Sequence, residues 1–164
     1  MEKTLVMKLL DGKKIAYTVH TYTVDTRDAE LVAEAIGIDP AQVYKTLVVQ
    51  TPGHGRGRQK PILTLIPANQ QLNLKLLAKA AGAKKLKLAT HKEAEKLTGL
   101  QVGGISPLAL INKGFTVYLD EGARIQKETI ISGGKRGVQI QLAVEDLLKI
   151  TRARWAAAAG PAGQ

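Results

Sequence analysis

"QVYKTLVVQ", residues 42–50, decides how this chain is read. Val43, Tyr44, Leu47, Val48 and Val49 form a β-branched and aromatic run with apolar residues on both faces. Such a strand is usually interior. Lys45 lies in the middle of it, and an ammonium is seldom buried without a partner. Two readings stand open. Lys45 is a sheet-edge residue whose stem lies on apolar surface while its head reaches water, or it is a cation held at the floor of a cleft. Thr46 adds a hydroxyl on the opposite face.

The pattern extends outward from this strand. "TPGHGRGRQKP" (51–61) is rich in glycine, proline and basic residues and reads as an exposed hairpin loop. "ILTLIPA" (62–68) returns as a second apolar strand. Upstream, residues 3–10 read as a short amphipathic helix stopped at Gly12. In "KIAYTVHTY", Ile15, Tyr17 and Val19 alternate with Ala16, Thr18 and His20, the period of a strand. Residues 27–36 have helical spacing closed by Gly37. Downstream, "NLKLLAKAAG" reads as a helix ending at Gly82, and Thr90 with Glu93 forms a capping box for the next helix. "FTVYLDE", "ETIIS" and "VQIQLA" read as three short strands. "VEDLLKITRARWAAAA" (144–159) reads as one terminal helix with Val144, Leu147, Leu148, Thr151 and Trp155 on one side. Helices and strands mix without strict alternation, which predicts an α+β fold. One domain is expected over 1–158, with a mixed, mostly antiparallel sheet flanked by helices and a frayed tail at 159–164.

Composition narrows the chemistry. With 164 residues and 45% hydrophobic content, the chain has a sizeable core. It has no cysteine, so disulfides, cysteine zinc sites and cysteine nucleophiles are excluded. No apolar run approaches the ~20 residues of a membrane helix, and the N-terminus does not read as a signal peptide. A cytoplasmic location fits. The net charge of +10 favours a polyanionic partner, because phosphates neutralised by cations release counterions.

Three further stretches could carry chemistry. "GGISP" (103–107) has glycines that permit close approach of a ligand and a proline that stiffens the exit; an ordinary turn is the plainer reading. "SGGKRG" (132–137) is either an anion nest of successive amides or a basic hairpin turn. In "HTY", His20 and Tyr22 share a strand face, although a lone histidine is more often structural than catalytic. There is no HExxH pattern, no GxSxG elbow and no Walker A spacing. No metal and no cofactor are expected.

Taken together, "VYKTL", "QVGGISPL" and "SGGKRG" followed by "LA..DL" resemble the YbaK/EbsC family of aminoacyl-tRNA deacylases over residues 3–155. The same fold serves as the editing domain inserted in bacterial prolyl-tRNA synthetases. The resemblance implies hydrolysis in trans of the ester joining a wrong amino acid to tRNA, most closely Cys-tRNA(Pro), with the substrate thiol attacking its own ester. Removal of another amino acid, such as alanine, is the second enzyme reading. A tRNA-binding module without turnover is the reading from a different class. The partners implied are the acceptor end of aminoacylated tRNA and a transient complex with prolyl-tRNA synthetase.

By the same resemblance, Lys45, Gly103, Gly104 and Pro107 are the expected catalytic positions. Lys45 contacts the terminal nucleotide or the ester, and the GxxxP loop holds the reacting end by its backbone. Tyr22, Thr46, Ile105, Ser106, Ser132, Gly133, Gly134, Lys135, Arg136 and Gln139 are the expected substrate-binding positions. Two departures bear on amino-acid specificity. Gln139 stands where the cysteine-specific branch often has aspartate. The aromatic residue often found near Asp28 is missing, in a segment that is shorter here.

Overall fold

The computed structural model describes residues 2–51 and 61–161. The larger sheet is built on the quoted strand. β2 (Tyr44–Gln50) pairs antiparallel with β3 (Ile62–Pro67), in the register Lys45↔Ile66 and Leu47↔Thr64. β3 runs parallel to β6 (Thr116–Asp120), and β6 runs parallel to β9 (Arg154–Ala156). On its other side, β2 meets β5 (Lys87–Leu88) only at Val49 and Gln50. The smaller sheet is antiparallel, in the order β1 (Thr18–Thr21), β8 (Val138–Ala143), β7 (Glu128–Ser132). This is an α+β architecture with mixed sheets, as the patterning predicts. The hairpin loop expected at 51–61 lies mostly outside the described residues.

The helices follow their local signals. α1 (Leu5–Gly12) starts at Thr4, whose hydroxyl accepts from the Met7 amide, and it buries Val6, Met7 and Leu10. α2 (Ala29–Ile36) opens on the Asp28 cap and closes at Gly37, whose φ of +73° lies in the left-handed region. α3 (Leu74–Ala81) starts at Asn73. α4 (His91–Thr98) has the predicted capping box: the Glu93 amide donates to Thr90 Oγ1 and the Thr90 amide to Glu93 Oε1. Val6, Leu10, Leu63, Leu65, Leu119, Ile140 and Leu142 meet in the main core between the sheets and helices. Among the described residues no helix is long and apolar enough to cross a membrane.

Two expectations fail at the C-terminus. The run predicted as one helix over 144–159 divides. α5 (Val144–Thr151) ends where Arg152 takes a left-handed φ of 57°, and the chain turns back as β9. Trp155 is therefore a strand residue opposite Leu119. The tail expected to fray from 159 continues as β10 (Ala159–Gly160), paired with β4 (Gln71–Leu72). The buried Asp120 carboxylate fixes this turn by accepting from the amides of Ala158 and Ala159, both at 3.0 Å.

The sheets touch at one parallel bridge, Val43↔Ile130, where the Ile130 amide donates to Gln42 O at 3.1 Å. Beyond it β2 and β7 diverge. The gap between them, ahead of β5, positions the site.

Candidate active site

β2 is interior at one end and an edge at the other. Val43 O accepts from Ala68, on the β3 side, while Val48 O accepts from Ala89, on the β5 side. Backbone groups alternate in direction along a strand. The amide and carbonyl of Thr46 therefore point the same way as those of Val48, into the gap that β5 does not reach. A cleft of about 860 Å³, open to solvent, fills this gap. It wraps around the free edge of β2, so Lys45 and Thr46 both line it despite lying on opposite faces of the strand.

Lys45 is therefore neither an ordinary edge lysine nor a buried ion pair. Its Nζ donates to Ala68 O at 3.2 Å, and no carboxylate lies within ion-pairing distance among the described residues. Burial holds its pKa below the ordinary lysine value, and the carboxylates of Glu30 and Asp28 offset part of that. A half-buried cation whose only hydrogen bond among the described residues goes to a carbonyl keeps donor capacity for an anionic or carbonyl ligand.

Other polar groups converge on the same space. Tyr22 Oη and Thr46 Oγ1 are buried and bond to none of the described residues. A buried hydroxyl without a partner costs about 1–3 kcal/mol, so both suit a polar ligand. Gln139, only 5% exposed, also lines the cleft and presents a neutral amide. Ser132 lines it too, but its hydroxyl is engaged. It donates to Gly103 O at 3.3 Å and accepts from the Gly134 amide at 3.2 Å.

The bond to Gly103 O joins two motifs that sequence reading treats separately. Arg136 Nε donates to Val102 O at 2.7 Å, which fastens the second glycine turn to the first. A Cβ on Gly104 would sit 3.2 Å from Lys135 Cα and 3.3 Å from the Arg136 amide nitrogen, so the backbones are in direct contact. Gly103, at φ +96°, needs the left-handed region. Of the loop, Gly103 and Ile105 line the cleft. The Gly104 amide donates to Gln101 O at 2.7 Å and is committed to the turn. The buried Ser106 hydroxyl accepts from the Leu108 amide and starts a short 3-10 turn at Pro107, which is itself buried.

Two expectations are corrected here. "SGGKRG" is not an anion nest: the Gly133 amide donates to Val138 O, the Gly134 amide to Ser132 Oγ, and Arg136 turns inward. Gly133, Gly134, Lys135 and Arg136 build the wall behind the cleft, and Lys135 is exposed. His20, in one of the stretches that could carry chemistry, has its Nε2 2.7 Å from Gln141 Oε1 and does not line the cleft.

Sequence reading missed the rim. Arg27 precedes α2 and His91 opens α4, on opposite lips, and Arg27 Nη1 lies 3.4 Å from His91 Nδ1 across the mouth. The two are 64 residues apart, and neither stands in a motif that would have marked it.

A model of the aminoacyl-tRNA editing domain matches residues 23–150, which include every polar group of the cleft except Tyr22. The chain belongs to the aminoacyl-tRNA editing domain family. Editing removes the amino acid from its tRNA, so the protein is an aminoacyl-tRNA deacylase and its chemistry is ester hydrolysis. A relative from Enterococcus faecalis is 40% identical over 157 residues, spanning 94% of this chain and 92% of its own; its provisional name is Cys-tRNA(Pro)/Cys-tRNA(Cys) deacylase EbsC. Proline–tRNA ligase of Thermosipho melanesiensis is 25% identical over 126 residues, where 77% of this chain matches 21% of the ligase. Among solved structures, one provisionally described as a trans-editing enzyme for prolyl tRNA synthetase superposes with a TM-score of 0.76 at 25% identity, covering 97% of this chain and 99% of its own.

Proposed function

We propose that this protein removes cysteine from mischarged tRNA(Pro), acting in trans, and that the substrate thiol performs the attack. The observation that carries the reading is a cleft well supplied with groups that orient an ester but without an activated side-chain nucleophile. Its one serine hydroxyl, on Ser132, is already engaged at both donor and acceptor by the two glycine turns.

In this reading the acceptor end enters over the rim and the ester lies along the free edge of β2. Lys45 Nζ and the Thr46 amide sit on the side where negative charge develops on the carbonyl oxygen, the usual source of the largest catalytic effect. Tyr22 Oη, Thr46 Oγ1 and Gln139 take up the ammonium and side chain of the aminoacyl group. The cysteine sulfur bonds to its own carbonyl carbon and the bond to the ribose oxygen breaks. The thiol proton leaves on that oxygen, and water then opens the thioester ring. Holding the thiol in line with its own ester adds to that effect. A synthetase that admits cysteine in a proline pocket needs a second, hydrolytic step, because small size differences give only about 10–200-fold discrimination. Selection of tRNA(Pro) is assigned to a transient complex with prolyl-tRNA synthetase in the cytoplasm.

The test is deacylation of separately charged Cys-, Ser-, Ala- and Pro-tRNA(Pro). Thiol attack predicts a cysteine ester far faster than the serine ester, since a hydroxyl is the poorer nucleophile at neutral pH. Equal cysteine and serine rates would replace the thiol with water positioned by Lys45 and Gln139. A fast alanine ester would move the specificity to alanine.

A further inference from the structure

We infer that the α3–β5–α4 lip of the cleft is the track on which the phosphate backbone of the tRNA acceptor stem lies, and that the α2 lip is kept clear of it. The inference rests on the deacylase reading above and adds to it a direction of approach.

The two lips carry opposite charge. Residues 74–98 contain seven lysines (75, 79, 84, 85, 87, 92 and 96) against two glutamates. All seven are exposed, and none has a carboxylate within ion-pairing distance among the described residues. Both glutamates are turned onto backbone: Glu93 Oε1 accepts from the Thr90 amide at 2.9 Å and Glu95 Oε2 from the Val102 amide at 2.8 Å. They are held at those amides and form no contact ion pair with the lysines among the described residues, although Lys87 lies near enough to favour the Glu93 carboxylate. Across the mouth, residues 25–39 contain five acids (25, 28, 30, 34 and 39) against Arg27 alone.

The basic segment also reaches the reaction site. Lys87 lies in β5, in register with Gln50 of β2, and the next residues of the segment, Leu88, Ala89 and His91, line the cleft. Lys84, Lys85 and Lys87 thus form a ridge leading to the cavity. A stem on the ridge delivers its single-stranded end to the cleft. A stem laid over α2 would set phosphates against Asp28, Glu30 and Glu34. Backbone contacts of this kind position a nucleic acid without reading its sequence, in keeping with tRNA choice made elsewhere.

The test compares two substrates. One is cysteinyl-tRNA(Pro); the other is the same cysteinyl ester on a CCA trinucleotide, which is too short to reach the ridge. The variant Lys84→Glu/Lys85→Glu/Lys87→Glu is expected to raise KM for the tRNA at least about tenfold. Values for the trinucleotide should stay within about twofold of the parent. Removing three phosphate contacts should also lower the slope of log binding against log salt by about 2–3. Glu34→Lys, on the opposite lip, should leave both substrates unchanged. The milder Lys84→Ala/Lys85→Ala/Lys87→Ala covers the case in which charge reversal disturbs folding, and should move KM in the same direction. An unchanged KM and salt slope for the tRNA overturns the inference. So does an equal loss on both substrates, which would place the lysines in the cavity, or a loss seen only when the synthetase is added, which would make the ridge a protein-docking surface. If the parent protein hydrolyses neither ester, the deacylase reading fails, and filter binding of uncharged tRNA still reports on the ridge.

Discussion

Lys45→Met separates the role of the cation from its contribution to the fold. The substitution keeps the length and apolar stem of the side chain and removes the charge. Two effects on stability oppose each other. The Nζ hydrogen bond to Ala68 O, at 3.2 Å, is lost, and bonds from a charged donor contribute about 1.5–3 kcal/mol. Against this, the cost of holding an unpaired ammonium half out of water disappears, and for a buried ion that cost is several kcal/mol. The side chain retains partial exposure, which reduces both effects. The expected net change is within about 1 kcal/mol, or about 2–4 °C in Tm for a chain of this size. Activity has no such compensation. Removing one preoriented donor to a developing oxyanion costs about 10²–10³ in kcat. Single-turnover deacylation of Cys-tRNA(Pro), read beside thermal unfolding, measures both quantities on one sample. A folded Lys45→Met protein within about tenfold of the parent rate would show that the cation does not act on the ester, and the reasoning from the cleft floor would fail.

Three further outcomes follow from the same geometry. Burial places the Lys45 pKa below the ordinary lysine value of about 10.4, so enzymatic rate relative to spontaneous hydrolysis should decline with rising pH before that value is reached. Lys45→Arg, which stays charged, should move that decline to higher pH. The linked stability effect has the opposite sense: between the folded and unfolded pKa values the unfolded chain binds more protons, so stability from this residue rises with pH. Ser106→Ala should cost about 1 kcal/mol in a urea titration, because its hydroxyl caps the turn at Pro107, yet reduce the deacylation rate by less than tenfold. Gly104→Ala brings a methyl within 3.2–3.3 Å of three backbone atoms. It should destabilise by about 1–3 kcal/mol and reduce kcat, whereas a neutral result would mean that the two turns can part.

Elements set by local periodicity were legible. β7 and β8 match their expected spans, and the α4 capping box is formed by the two residues that announce it. The C-terminal run was misread because "RWAAAA" has high helix propensity, while its conformation is imposed from far away by pairing of Leu119 with Trp155 and by Asp120. Propensity yields to such contacts. Several residues that line the candidate cleft could be marked in the sequence, but their assembly could not. Gly103 and Ser132 could each be marked, yet nothing local states that one bonds the other, that Ser132 thereby loses its free hydroxyl, or that Arg27 meets His91.

The bonds that fasten the two glycine turns span 29 and 34 residues of chain. Around them, β3 pairs in parallel with β6, and β1 pairs antiparallel with β8, all distant in sequence. Loops of that length close late, because their entropy must be overcome before any contact rewards it. The candidate cleft is therefore expected among the last parts of the molecule to form on refolding. Recovery of deacylase activity should lag behind the return of helical signal and coincide with the slowest folding phase.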